Sequence, residues 1–181
     1  MAGEPTDPIA YVVAAWADEL PSIAGPALEL AKRVGRLAEV LDDASRRALA
    51  ELGLTGAEYG VLATLRRMGR PYELTPTELS RQLLLSSGGT SNVMNRLVKA
   101  GLVEREADPV DGRSTRVRLT AEGVAVAERA VLASVAAHRE VLSPLTDAEA
   151  DRAIDALREV LMAVEPPPTP PHSSRGRIRM P

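Results

Sequence analysis

The 181-residue chain has no cysteine and no phenylalanine, carries only two histidines, and contains 2% aromatic residues in all. Without cysteine it forms no disulfide and no thiolate zinc site, and has neither a thiol nucleophile nor a thiol redox switch. With His138 and His172 alone, a histidine metal cluster or proton relay would have to be built mostly from carboxylates. No apolar run approaches the roughly 18 residues that a membrane span needs. The short run from Ile9 to Trp16 follows Glu4 and Asp7 rather than a basic segment, so neither a span nor a signal peptide is expected. A cytoplasmic location is the expectation. A core lacking phenylalanine must come from Leu, Val and Ala, a composition that favours helices. The 45% hydrophobic and 26% charged content is that of a globular protein, one domain or slightly more.

The net charge of -3 conceals an uneven distribution. Residues 60–120 hold ten cations and six anions, and the rest of the chain holds 12 cations against 19 anions. A basic middle between acidic arms suits a polyanion-binding module carried on a separate scaffold, and it also suits a mixed solvated surface.

Residues 1–8 and 166–181 are Pro-rich, polar and without periodicity, so both ends read as disordered, the latter with Arg175, Arg177 and Arg179. From Pro26, apolar residues recur at Ala27, Leu30, Val34, Leu37, Leu41, Ala44 and Ala48, which predicts a long helix with a narrow seam. Thr55 with Glu58 and Thr75 with Glu78 are capping boxes that open two further helices, the second with Pro76 at its first position. A break at Leu84 to Ser86 precedes a helix from Ser87 to Ala100, ended by Gly101. Leu102 to Glu106 and Ser114 to Leu119 read as the strands of a hairpin turned by DPVDG. Thr120 opens a helix striped by Val124, Ala127, Val131, Val135, His138 and Leu142. After Pro144, Thr146 with Glu149 opens a last helix carrying Ala150, Ile154, Leu157, Leu161 and Val164. The fold class expected is mainly α.

The Ser87–Ala100 segment puts Met94, Leu97 and Val98 on one face and Ser91, Asn92, Asn95, Arg96 and Lys99 on the other. Asn bonds adenine edges, Arg bonds guanine O6 and N7, and Ser and Thr reach bases or phosphates, so the outward row is the set a major-groove reader needs. Gly88 and Gly89 would let the helix start approach a phosphate closely. Alone, such a row is more often an ordinary solvated face. The hairpin adds Asp111, Arg113, Arg116 and Arg118 directly after it, and a protruding arginine enters a narrow minor groove favourably. The chain has no G-x-S-x-G, Walker loop or H-E-x-x-H, so no enzyme and no cofactor is expected.

Residues 55–123 resemble the winged helix-turn-helix of the MarR family of bacterial regulators. The resemblance rests on LSSGGTSNVMNRLVKAGLVERE from Leu85 and on DPVDGRSTRVRLTAEG from Asp108 to Gly123, with its D-x-R, basic strand and L-T-x-x-G. The flanking helices are similar to the family's dimerisation helices, so residues 26–165 are covered. The resemblance implies a homodimer on double-stranded DNA, a pseudo-palindromic operator, transcriptional control as a repressor and a small aromatic or anionic effector. It also implies that Arg113 is the wing's minor-groove arginine and Asp111 its positioning partner. The DNA-contact set expected is Ser86, Ser87, Gly88, Thr90, Ser91, Asn92, Asn95 and Arg96 with Asp111, Arg113 and Arg116. The domain plan expected has a disordered 1–8 and N-terminal helices over 9–50. A winged helix-turn-helix with a two-stranded β wing follows over 55–119, then C-terminal dimerisation helices over 120–165 and a basic tail over 166–181. Paired apolar seams predict two recognition helices about 34–36 Å apart, one DNA turn, or a multiple of it. The helix around Tyr11 and Trp16 resembles the extension of the family's urate-responsive branch. Trp16 and Arg105 match that branch's ligand residues, whereas Gly60 and Val93 stand where it has an acid and an arginine. A ligand site of Tyr11, Trp16, Tyr59 and Arg105 is the resulting expectation. The rival from another class is a winged helix that pairs with a protein and has no specific DNA target.

Overall fold

The computed structural model describes residues 7–83, 87–107 and 115–165, with the backbone alone described over 87–91. The chain forms two compact units, Met1–Leu142 and Ser143–Pro181. In the first unit the order is α1 (Ala10–Glu19), a 3-10 turn (Pro21–Ile23), α2 (Pro26–Glu51), α3 (Gly56–Arg67), β1 (Glu73–Leu74) and α4 (Pro76–Leu83). Then come α5 (Ser87–Lys99), β2 (Val103–Ala107), β3 (Thr115–Leu119) and α6 (Ala121–Leu142). The second unit is the helix α7 (Asp147–Val164).

The expected helix starts form for the expected reason. The Thr55 hydroxyl accepts from the Glu58 backbone N–H while Glu58 accepts from the Thr55 N–H, and Thr75 with Glu78 does the same. Thr146 and Glu149 repeat the arrangement at the start of α7. Each box satisfies donors that a helix start leaves without intrahelical partners. Gly101 closes α5 at φ +70°, with its N–H on Val98 O and the Leu102 N–H on Leu97 O, a Schellman closure that needs the left-handed residue.

The sheet is three-stranded, order β1-β3-β2, all antiparallel, where a two-stranded wing was expected. Glu73 and Leu74 pair with Arg118 and Val117. Two residues have no alternation to read, and they become a strand only because β3 offers them an edge. Along β2 and β3 side chains alternate, so Val103, Val117 and Leu119 enter the core while Glu104, Glu106, Arg116 and Arg118 form a cross-strand ladder on the other face. There Arg118 donates to Glu104 (Nε, 3.0 Å) and Glu106 (Nη2, 2.5 Å), and Arg116 donates to Glu73 at 3.1 Å.

The core lies under this sheet. Val61, Leu62 and Leu65 of α3, Leu79 of α4, Met94 and Leu97 of α5, and Ala127 and Ala130 of α6 are buried together. Val98, expected inward, is 40% exposed, and Val93 is buried instead. The inward arc of α5 centres on Leu97, with Val93 and Met94 one turn before it and Val98 on the flank.

Thr120 and Gly123 dock α6 onto the start of β2. The Thr120 N–H reaches Leu102 O at 3.1 Å, its hydroxyl donates to Gly101 O at 2.7 Å, and it accepts from the Gly123 N–H at 2.9 Å. A Cβ at Gly123 would lie 1.8 Å from Leu102 O, so only glycine permits this approach. Further along, α6 crosses α2, where the hydroxyls of Ser45 and Ser134 meet at 2.8 Å in a buried pair.

Apolar seams remain uncovered by the single chain. On α2, Leu30, Val34 and Leu37 are exposed, and on α6 Leu132, Val135 and Leu142. No residue of α7 is buried, and its Ile154, Leu161 and Val164 all face solvent.

Candidate nucleic-acid interface

Helix α5 follows α4 and packs by Val93, Met94 and Leu97. That packing fixes its rotation, and Asn92, Asn95, Arg96 and Lys99 are thereby left exposed. Ser87, Gly88, Thr90 and Ser91 belong to the helix backbone, and their side chains lie outside the described residues, as do Ser86 and the wing tip with Asp111 and Arg113.

Two of the exposed side chains are held from behind. Arg96 Nε lies 3.1 Å from Glu58 Oε1, so the carboxylate that caps α3 also orients a side chain of α5. Burial opposes ionisation of Glu58, but hydrogen bonds from the Thr55 backbone and hydroxyl and the Arg96 charge outweigh it and hold its carboxyl below the ordinary value. The second is Asn95, whose Oδ1 accepts from Arg105 Nη2 at 3.1 Å. Arg105 shares the face of β2 with buried Val103, two residues earlier, and is therefore aimed at the helix side of the strand. Arg116 stands on the opposite face, in the ladder with Glu73.

The expected ligand residues are distributed rather than gathered. Tyr59 lines a cavity of about 700 Å³ between α3 and α6, together with Ala63, Thr64, Arg66, Glu128 and Leu132. Tyr11, Trp16 and Arg105 are not in its lining. Tyr11 and Trp16 sit exposed on α1, and Arg105 is on Asn95. The cavity's charged lining is Arg66, Arg67 and Glu128, and Arg66 donates from Nε and Nη2 to Glu128 Oε1 at 3.0 and 2.7 Å and lies 5.0 Å from the Tyr72 ring centre. The hydrogen bond to Glu128 raises the Arg66 pKa. Sequence reasoning missed this pair because 62 residues separate its members and no spacing rule links them. Among the described residues, no group of His, Cys, Asp or Glu could hold a metal, and no helix is long and apolar enough to cross a membrane.

The sequence and the fold are similar to those of known proteins. The MarR family's sequence profile matches residues 52–114. The chain is 29% identical over 141 residues to the HTH-type transcriptional regulator PecS of Dickeya dadantii, spanning 78% of this chain and 85% of that one. It is 32% identical over 133 residues to the multiple antibiotic resistance protein MarR of Escherichia coli, covering 71% of this chain and 90% of the relative. A crystal structure of a mutant of that MarR complexed with operator DNA superposes with a TM-score of 0.64 at 28% identity, over 81% of this chain and 97% of the other. A MarR family protein of Mycobacterium tuberculosis in complex with p-aminosalicylic acid gives 0.61 at 30% identity, over 75% and 98%. With nine-tenths of E. coli MarR matched at 32% identity and the family's profile matched over residues 52–114, the chain belongs to the MarR family of HTH transcriptional regulators.

Proposed function

We propose that the protein is a homodimeric repressor that reads a pseudo-palindromic operator through α5 and the wing and is released by a small effector. The observation that carries this reading is the outward row of α5, where Asn92, Asn95, Arg96 and Lys99 are exposed above a face buried by Val93, Met94 and Leu97. Asn and Arg side chains so presented are complementary to base edges in the major groove, and Lys99 supplies charge for phosphate. Ser86, Ser87, Gly88, Thr90 and Ser91 complete the approach at the helix start. Arg113, oriented by Asp111, takes the minor groove, and Arg116 exchanges Glu73 for phosphate. The dimer supplies the second reader, and the uncovered seams of α2, α6 and α7 are the surfaces it would bury. The E. coli relative crystallised on operator DNA supports the target class.

Effector control is supported by the Tyr59 cavity. Its apolar wall of Ala63 and Leu132 beside Arg66 suits a planar aromatic anion, which would compete with Glu128 for the guanidinium. The p-aminosalicylic acid complex of the mycobacterial relative supports that chemical class. A ligand need only favour one spacing of the two readers, and a differential affinity of a few kcal/mol suffices.

Selection of bound fragments from random DNA, followed by gel shifts, tests the reading. The expected product is a single inverted-repeat motif with a log–log salt slope of about -0.9 per neutralised phosphate. Asn92→Ala and Arg96→Ala should alter base ranking by roughly 1–3 kcal/mol per lost contact, and Arg113→Ala should weaken binding. Unchanged affinity and ranking for all three variants would refute the groove assignment. Absence of any saturable operator would favour a protein-interaction module.

A further inference from the structure

The bond between Arg105 and Asn95 bears on which base the helix reads, an inference that rests on α5 being the DNA reader. A guanidinium has donors only, so the group of the Asn95 amide that faces Arg105 at 3.1 Å must be its oxygen. The amide nitrogen therefore occupies the other branch of the side chain, away from Arg105. Asparagine recognises adenine by using both branches together, accepting from N6–H with the oxygen and donating to N7 with the nitrogen. Guanine, by contrast, offers acceptors at O6 and N7, and thymine at O4, and these need only the donor.

We infer that Arg105 is a specificity-determining positioning residue: by occupying one lone pair of the Asn95 oxygen and placing its own N–H groups and charge where adenine N6–H would approach, it biases Asn95 toward donating to DNA, so that a guanine or thymine acceptor is preferred over adenine. The placement is built into the strand. Val103 anchors β2 in the core, and alternation puts Arg105 on the same face, beside the last turns of α5. Both side chains are exposed in the unbound protein, where water competes for the bond. Docked on a base edge the pair loses that competitor, and a charge-assisted bond strengthens as water leaves. Asn92, one turn earlier, has no such tie among the described residues, so the two asparagines of one helix present different hydrogen-bonding faces.

Random-sequence selection on the full-length wild type, Arg105→Ala, Arg105→Lys, Asn95→Ala and the Asn95→Ala/Arg105→Ala double variant tests this, with salt slopes and thermal midpoints measured in parallel. In the wild type, one position of each half-site should prefer guanine or thymine. Arg105→Ala should shift that position about tenfold toward adenine, leaving other positions and the thermal midpoint unchanged. Arg105→Lys, which retains a donor, should keep the wild-type preference. With Asn95→Ala already present, Arg105→Ala should change the ranking no further.

A uniform loss of affinity across sequences, with the salt slope reduced by about one phosphate, would assign Arg105 to the DNA backbone and overturn the inference. An Arg105→Ala shift that persists without Asn95 would also overturn it. A wild type with no preferred sequence would remove the reading of α5 itself, an outcome visible before any variant is compared.

Discussion

Replacing Gly123 with alanine is the sharpest test of how the DNA-binding unit is joined to α6. The added Cβ would lie 1.8 Å from Leu102 O, against the 3 Å or more that real contacts keep. The obstacle is backbone, so no rotamer change relieves it, and either the first turn of α6 or the start of β2 must move by over 1 Å. Such overpacking costs about 3 kcal/mol, the upper part of its usual range. The displacement also breaks the Thr120 anchors to Gly101 O and Leu102 O, worth about 1 kcal/mol in a helix cap. Alanine's better helix propensity returns about 1 kcal/mol. The net loss is about 3 kcal/mol, a fall of about 6–12 °C in thermal midpoint for a chain of this size. Calorimetry or circular dichroism at fixed protein concentration reads it, since midpoints of an associating protein move with concentration. Gly56→Ala is the control, because a Cβ there meets nothing within 4 Å. A Gly123→Ala protein as stable as wild type, or more stable, would refute the close-approach argument.

Three further outcomes are expected. Ser45→Ala leaves the Ser134 hydroxyl buried without its partner and should cost about 1–3 kcal/mol in urea unfolding, whereas the Ser45→Ala/Ser134→Ala protein should recover most of it. Additive losses would show that the pair is not coupled. The Glu58 and Glu78 carboxyls titrate below their ordinary 4.5. Their ionised forms therefore stabilise the fold fully above about pH 5.5, a contribution lost as pH falls through 4.5 toward the lowered folded values. Thr55→Val/Thr75→Val should flatten the acid limb of stability against pH, and an unchanged limb would count against the capping boxes as its source. Leu161→Asp should fold, because the side chain is 53% exposed in the single chain, yet elute as a monomer and bind operator at least tenfold more weakly. A dimer retained by that variant would take the α7 stripe out of the interface.

What the sequence made legible depended on whether a local rule covered it. Capping boxes are local, so Thr55, Thr75 and Thr146 marked their helix starts without tertiary information. Gly101 was readable as a cap for the same reason. Strand β1 was not, because Glu73 and Leu74 are made a strand by β3, 43 residues on. The misassigned valine on α5 is a phase error of one position, since Val98 and Val93 both flank Leu97 and only the packing of the core chooses between them. Within the candidate interface, the exposed residue types on α5 were legible, whereas their ties to Glu58 and Arg105 were not, because they join different elements. The proximity of Arg66 to Glu128 escaped notice likewise.

Glu58 serves two masters: it closes the start of α3 and steadies Arg96. If α5 reads the operator as proposed, a lineage drifting toward a new one can alter Asn92 at little structural risk, but cannot retune Arg96 without revisiting an acid whose loss would fray a core helix. Change in target preference along this branch should accordingly accumulate first at Asn92, with positions 58 and 96 moving in concert and rarely.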